Sequence, residues 1–336
     1  MIDRYSRQTL FSGIGEEGQR SLGNSCVVII GCGALGTIIA TSLVRAGVGK
    51  IRIIDRDFIE YHNLQRQVLF DEDDIRNELP KAIAAERHLK RVNSSVEIEG
   101  IVADVNYSNV ERLISSADLI LDGLDNFETR FLINDVSLKH KVPWVYGAAI
   151  SSSGMTMNII PGETACFRCF SANLPSKGVV HTCDTAGVIS SAPFIIGSLE
   201  SVEAMKILVG AEEINRDLIV IDVWKGMFER LRISTRDDCP ACQDKYEFLE
   251  GEFEVRATSL CGQDAVQVLN PGVGSISLER LAARLKLVGQ VTYNEFMLRF
   301  TVDNCEMVVF PDGRAIVKNT NDESLARGLY AKYIGT

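Results

Sequence analysis

No stretch of this 336-residue sequence approaches the ~20 consecutive apolar residues of a membrane-spanning helix. The N-terminal Met1-Ile2-Asp3-Arg4-Tyr5-Ser6-Arg7 lacks the apolar core a signal peptide needs, so a cytoplasmic location is expected. Basic residues are in the minority, 35 Lys and Arg against 45 Asp and Glu, and the net charge of −10 argues against a protein that coats nucleic acid. An even cysteine count is missing too: nine cysteines in a reducing compartment do not read as a disulfide framework. Repeats and low-complexity segments are absent. What is present is a chain 46% hydrophobic, long enough for a large core and two domains.

The continuous apolar run Cys26–Ile30 suits a strand buried on both faces of a parallel sheet. Gly31-Cys32-Gly33-Ala34-Leu35-Gly36 follows as a turn, then Leu35 to Ala46 as a helix stopped by Gly47, then Lys50–Asp55 as a strand ending in an acid. This is a βαβ unit of the dinucleotide-binding kind. Gly31, Gly33 and Gly36, with the helix N-terminus behind them, are expected to hold phosphate, and Asp55 to bond ribose hydroxyls. Strands at Val96–Val102, Ala117–Asp122 and Pro143–Tyr146 alternate with helices at Ala82–Val92 and Phe127–His140, which predicts a doubly wound sheet to about residue 150. Met155–Ile160 alternates like an antiparallel strand, Ser198–Val209 reads as an amphipathic helix and Leu218–Val223 as a strand. The expected architecture is α/β: a doubly wound, Rossmann-like mixed sheet over residues 1–245. A charged linker at 246–255 and a small α+β domain at 256–336 complete it. The latter carries helices over Ser277–Lys286 and Asp322–Tyr333 and a turn between strands at Pro311-Asp312-Gly313-Arg314.

A second cluster, Asn63-Leu64-Gln65-Arg66-Gln67, follows the acid-bearing strand. Backbone alone cradles the pyrophosphate of NAD, so an arginine among amides at that place points to a group with more negative charge, such as a triphosphate. Arg66 can clamp a phosphate bidentately, and Lys81, at the next helix start, adds a second cation. Asp125-Asn126 lies where an open α/β sheet binds ligands, and a carboxylate there suits the Mg2+ that travels with ATP. Asp122, nearer the strand body, is assigned to structure. Cys166-Phe-Arg-Cys169 and Cys239-Pro-Ala-Cys242 are two pairs of one spacing, each resembling a zinc knuckle. A single pair would also suit a redox motif; two pairs favour one structural zinc held by four thiolates, with no position left for water. Cys183, in the polar segment His181-Thr-Cys-Asp-Thr-Ala-Gly187, is a candidate nucleophile or an incidental thiol. Cys26, Cys32, Cys261 and Cys305 are read as core, and His62, His88 and His140 receive no role.

Arg4-Tyr-Ser-Arg-Gln8, Gly31-x-Gly-x-x-Gly36, Asp55-x-Asp57, Asn63-Leu-Gln-Arg-Gln67, Lys81, Leu124-Asp-Asn126 with Arg130, and the two cysteine pairs together resemble the ThiF/MoeB/HesA family, bacterial relatives of ubiquitin-activating enzymes. The resemblance covers residues 1 to about 245; the tail, with Leu260-Cys-Gly-Gln263, looks like the extra domain of longer members. It implies a homodimer that uses ATP to adenylate the C-terminal Gly-Gly carboxylate of a ubiquitin-fold sulfur carrier, with release of pyrophosphate. It further implies Asp55, Asp57, Asn63, Gln67 and Asn126 at the nucleotide, Arg66 and Lys81 on the phosphates, and Asp125 on Mg2+. Arg7 would act in trans, and Cys183 matches a position that links covalently to the carrier in some relatives. A cysteine desulfurase or rhodanese would supply sulfur.

The expected substrate is a ThiS-like carrier on the path to the thiazole of thiamine; a MoaD-like carrier in molybdopterin synthesis, or another thiolation, is the alternative. An NAD-dependent dehydrogenase would explain Gly31 to Asp55 but leave Arg66, Lys81 and both cysteine pairs without purpose. A zinc-stapled binding module with a vestigial nucleotide site is the third class.

Overall fold

The computed structural model describes residues 4–174, 183–253, 257–259, 264–269, 275–302 and 304–335; of Cys183, Asp184 and the strand at 257–259 it describes the backbone alone. Cys26–Ile30 (β1) lies inside an eight-stranded sheet with Lys50–Asp55 (β2), Glu97–Val102 (β3), Leu119–Asp122 (β4), Trp144–Ile150 (β5), Ser153–Ile159 (β6), Leu218–Asp222 (β7) and Met227–Leu231 (β8), in the order β3-β2-β1-β4-β5-β6-β7-β8. The pairs from β3 to β5 are parallel and those from β5 to β8 antiparallel, so the α/β sheet is mixed. The chain steps outward from β1 to β3 and then returns to place β4 on the other side of β1. That reversal opens a crevice at the carboxyl ends of β1 and β4, the place where such sheets take ligands.

Helices Gly15–Asn24 (α1), Ala34–Ala46 (α2), Lys81–Val92 (α3), Phe127–His140 (α4) and Ser191–Val209 (α5) cover the sheet. Val27 and Val28 through Ile30 are all buried, because side chains pointing to either face of β1 meet a helix layer. On the face under α4, Phe167 packs edge-on to Phe131 with ring centroids 5.2 Å apart and lies 5.1 Å from the Tyr146 ring. Phe131 also stacks on Phe248 at 4.7 Å. The charged stretch that composition assigns to a linker is therefore, at Phe248 and Leu249, part of this core. Buried Asp135 of α4 tethers it, accepting the Phe248 and Leu249 amides at 2.9 and 3.4 Å. Helix α5 begins seven residues ahead of the expected Ser198, running through Pro193. Proline is tolerated in a first helical turn, where its missing N–H has no partner to lose. Edge strand β8, exposed along its whole length, carries little apolar alternation and escapes a pattern reading.

The chain divides into two compact units, residues 1–252 and 253–336. The second is an antiparallel sheet of Ala257–Ser259 (β9), Ala265–Val268 (β10), Gln290–Tyr293 (β11), Leu298–Val302 (β12), Cys305–Val309 (β13) and Ala315–Lys318 (β14), in the order β11-β12-β13-β14-β10-β9. Helices Leu278–Leu285 (α6) and Glu323–Tyr333 (α7) bury Leu281, Leu285, Leu329 and Tyr330 against Phe300, Met307 and Val317. At the turn between β13 and β14, Gly313 alone takes a positive φ, and its carbonyl accepts the Tyr330 hydroxyl at 2.6 Å. Among the described residues no helix is long and apolar enough to cross a membrane.

Burial pushes the Asp135 carboxyl up from 3.8 to about 6, against the pull of the Phe248 and Leu249 amides. A carboxyl whose pKa is higher folded than unfolded stabilises the fold below the unfolded value, and that contribution is lost as pH rises through the folded one. A rise of this size corresponds to roughly 3 kcal/mol. Asp135→Asn keeps the acceptor and removes the titration, so its unfolding free energy relative to the parent should climb between pH 4 and 7. Urea unfolding across that range reads the difference, and a constant offset would contradict it.

Candidate nucleotide and metal sites

Glycine is required at the crevice by backbone proximity. A Cβ on Gly31, whose φ is +92°, would lie 2.5 Å from the Gly123 carbonyl oxygen; one on Gly36 or on Gly123 would lie 2.1 Å from that of Gly31. These three residues let the β1–α2 turn and the end of β4 cross in contact. Gly33 differs: the nearest atoms to its Cβ would be Gly123 O at 3.7 Å and Gln67 Nε2 at 3.9 Å, so its bareness keeps open the approach to the N-terminus of α2. Gln67 is buried beside it, and its Oε1 has no hydrogen-bond partner among the described residues. A bare glycine and a helix N-terminus together suit a phosphate-bearing ligand, while the Gln67 Oε1, an acceptor, is left for a donor such as a hydroxyl.

Asp55 lashes the turn in place. Its Oδ2 accepts the Cys32 amide at 2.6 Å and its Oδ1 the Asp57 amide at 2.7 Å, while burial raises its pKa and Lys81 opposes the rise. Lys81, first residue of α3, is itself buried; its amide donates to the Asp57 carbonyl at 2.9 Å and its Nζ lies 3.4 Å from Asp57 Oδ2. Burial alone would discharge this ammonium, but Asp57, Asp55 and Asp125 outweigh it and hold Lys81 charged. Arg56, which the motif reading passes over, is a third cation here. It binds Asp104 Oδ1 at 2.7 Å, and Asp104, Asp57 and Asp125 keep it charged against burial. Its sequence signal is a cation between two acids, Asp55-Arg56-Asp57.

Asn63 organises the neighbouring turn. Its Oδ1 accepts the Glu60 amide at 3.1 Å, and its carbonyl accepts the amides of Arg66 and Gln67, each at 3.0 Å. Half-buried Arg66 donates to the His62 carbonyl at 2.8 Å, and no carboxylate pairs with it among the described residues. Its remaining donors are available to an anion. Gln65 Nε2 reaches the Val188 carbonyl at 3.4 Å, where residues 187–189 pair with Ser151 at the end of β5.

Asp125 is exposed between two fixed points. Before it, Asp122 is fully buried and accepts Arg130 Nε at 2.9 Å and the Leu124 amide at 2.8 Å; Arg130 Nη2 also donates to the Leu124 carbonyl at 2.6 Å and the Gly147 carbonyl at 2.8 Å. After it, Asn126 caps α4 by accepting the Thr129 amide at 3.0 Å. Asn126 and Arg130 thus have positioning tasks, and Asp125 is the carboxylate left facing the cations and able to hold Mg2+.

Arg7 stands exposed on the one-turn helix Ser6–Thr9. Its neighbours anchor that turn: the Tyr5 ring lies over Gly47, the Tyr5 hydroxyl accepts Asn93 Nδ2 at 2.9 Å, and Gln8 Nε2 donates to the Ala46 carbonyl at 2.9 Å. Cys183 opens the one-turn helix Cys183–Ala186, but its side chain lies outside the described residues, as does all of Cys261. Cys32 and Cys305 are buried, as expected, and Cys26 partly so.

The two cysteine pairs meet. Cys166 Sγ lies 3.7 Å from that of Cys169, 3.6 Å from Cys239 and 3.5 Å from Cys242, and Cys169 lies 3.6 Å from Cys242. Sulfur atoms at about 2.3 Å from a tetrahedral zinc stand about 3.8 Å apart, so this set could bind zinc with little movement. The Arg236 amide approaches Cys169 Sγ at 3.4 Å, a donor that favours a thiolate. Metal analysis of the purified chain should return about one zinc per chain. Cys166→Ser should abolish it and lower the thermal midpoint; well under one zinc in the parent would refute the site.

Residues 5–241 match a family model described as the ThiF family. The chain is 44% identical over 339 residues, covering 100% of both chains, to the sulfur carrier protein ThiS adenylyltransferase of Bacillus subtilis. It is 36% identical over 242 residues to the SAMP-activating enzyme E1 of Haloferax volcanii, covering 72% of this chain and 88% of that one. Its fold is like that of E. coli MccB solved with ATP, at a TM-score of 0.63 and 24% identity over 72% of this chain and 75% of that one. With the family model spanning more than two thirds of the chain and a relative aligned along its whole length, this chain belongs to the ThiF family.

Proposed function

We propose that this chain is an ATP-dependent adenylyltransferase that activates the C-terminal Gly-Gly carboxylate of a ubiquitin-fold sulfur carrier of the ThiS type, for sulfur transfer in formation of the thiamine thiazole. The observation that carries this reading is the full-length match. The Bacillus relative named a ThiS adenylyltransferase aligns through the second unit, whereas the Haloferax and Thermus thermophilus relatives cover 72% and 73% of this chain.

In this reading the carrier carboxylate attacks the α-phosphorus of ATP. A carboxylate–phosphorus bond forms, the bond to the bridging oxygen breaks, and pyrophosphate leaves with the electron pair. A carboxylate is already ionised at pH 7, so no protein base is needed. The work is positioning and charge neutralisation in a pre-ordered site. Gly33 and the N-terminus of α2 take phosphate oxygens; Lys81 and Arg66 oppose the charge that gathers on the leaving pyrophosphate. Asp55 and Asp57, with Asn63, Gln67 and Asn126, shape the nucleotide seat. Mg2+, held by Asp125, would add charge neutralisation at the phosphates. The chain acts as a homodimer, with Arg7 of each subunit completing the other's site. Cys183 is the residue assigned to a covalent link with the carrier, the sulfur coming from a cysteine desulfurase or rhodanese. Zinc on the four cysteines is structural.

Carrier-dependent exchange of labelled pyrophosphate into ATP tests the reaction, with ThiS-like and MoaD-like proteins side by side. Exchange with the ThiS-like carrier is expected; exchange with the other alone would reassign the substrate, and none with either would overturn the reading. Arg66→Ala and Lys81→Ala should each lower the exchange rate by about 100-fold or more. Mixing inactive Arg7→Ala and Arg66→Ala chains should restore part of the activity if the two residues act across subunits. Mixtures no better than their components would remove Arg7 from the site.

A further inference from the structure

Helix α5 carries a carboxyl into a place where a charge is hard to keep. Glu200 is fully buried, and neither of its carboxyl oxygens has a hydrogen-bond partner among the described residues. It rests on β5 where Gly147 has no side chain: a Cβ there would lie 1.9 Å from Oε1 and 2.9 Å from Oε2. The carbonyl of the same glycine accepts Arg130 Nη2 at 2.8 Å. The charged groups that face Glu200 are Asp122 of β4 and Arg130 of α4, and β5 adds the Tyr146 phenol. No charged group of α1, α2 or β6 faces it among the described residues.

Arg130 is already committed to Asp122 and to the Leu124 and Gly147 carbonyls. One guanidinium cannot neutralise two buried carboxylates. An ionised Glu200 would be unsolvated, unpaired and without a donor, the condition in which a carboxyl keeps its proton instead. Burial and the nearby Asp122 push it well above the usual carboxylate range, with Arg130 opposing.

We propose that Glu200 is a positioning residue that works as an uncharged acid, leaving Arg130 wholly to Asp122, Leu124 and Gly147 and so fixing the end of β4 that presents Asp125. Ionisation at alkaline pH would set a second carboxylate against Asp122 for the same guanidinium and loosen the hold on Leu124, the residue before Asp125. The link to catalysis rests on the adenylation reading; the protonation of Glu200 does not.

Two measurements on the full-length chain test this. Infrared spectra at neutral pH should show a protonated-carboxyl band in the parent that Glu200→Gln lacks; identical spectra would overturn the proposal. In carrier-dependent pyrophosphate exchange, Glu200→Gln keeps the shape without the titration. Its kcat should stay within about two-fold of the parent at neutral pH, and it should retain activity at alkaline pH where the parent falls by about ten-fold while still folded by circular dichroism. Superimposable alkaline limbs, or a variant inactive at neutral pH with its fold intact, would overturn the role. Should the amide variant fail to fold, Glu200→Met serves both measurements. If no carrier supports exchange, calorimetric Mg-ATP binding over the same pH series makes the same comparison. Failure of the adenylation reading is thereby separated from failure of the Glu200 role.

Discussion

The backbones of Gly31 and Gly123 touch where β1 and β4 end, and most of the site follows from that contact. With any Cβ at either position the two loops would have to separate by about an ångström. Their contact brings the N-terminus of α2, which carries unpaired amides and a partial positive charge, beside the loop that carries Asp125. Gly36 permits the same closeness one helical turn on. Gly33, with space beside it, is the glycine of the three whose missing side chain leaves room for something other than protein.

Around this contact the charges are arranged before any ligand arrives. Lys81 is held by Asp57, Arg56 by Asp104, and Arg130 by Asp122, so three cations are buried or half-buried and kept charged by carboxylates. Burying such groups singly would discharge or expel them; paired, they form a fixed field whose orientation costs nothing at the moment of reaction. Arg66 stands apart, tied to a backbone carbonyl and to no carboxylate among the described residues, and is the cation best placed to change partners. An acidic protein can thus hold a set of fixed cations at one crevice, and the net charge of −10 gives no hint of their placement.

The opposite face of the sheet is held by aromatic packing and by sulfur. The turn Phe167–Phe170, which begins at Cys166, drives Phe167 into the cluster of Phe131, Trp144 and Tyr146. The second cysteine pair brings along the strand-free segment that ends in Phe248. Zinc at the four sulfurs would close a loop of about 70 residues between Cys169 and Cys239, the stretch that contains α5 and the β7–β8 hairpin.

The sequence by itself determined the elements whose signal is local. The apolar run of β1, the glycines after it and the acid ending β2 announce a βαβ unit, because a doubly covered strand must be apolar and a close turn must lack side chains. Two Cys-x-x-Cys pairs announce a cluster that could hold a metal, because ligand spacing is a short-range property. Tertiary structure alone decided how residues with ordinary sequence surroundings are used. Asp55 spends its carboxylate on two backbone amides, Asn126 its amide oxygen on a helix cap and Asn63 its amide oxygen on its own turn, and nothing in their neighbours distinguishes those tasks from ligand binding. Arg56 and Glu200 acquire meaning only when β2, β4, β5 and α5 are brought together, since burial and charge pairing depend on residues far apart in the chain. The fate of residues 245–252 was decided in the same way. A run of charges looks solvated until Asp135, over a hundred residues earlier, accepts its amides and Phe248 finds the ring of Phe131.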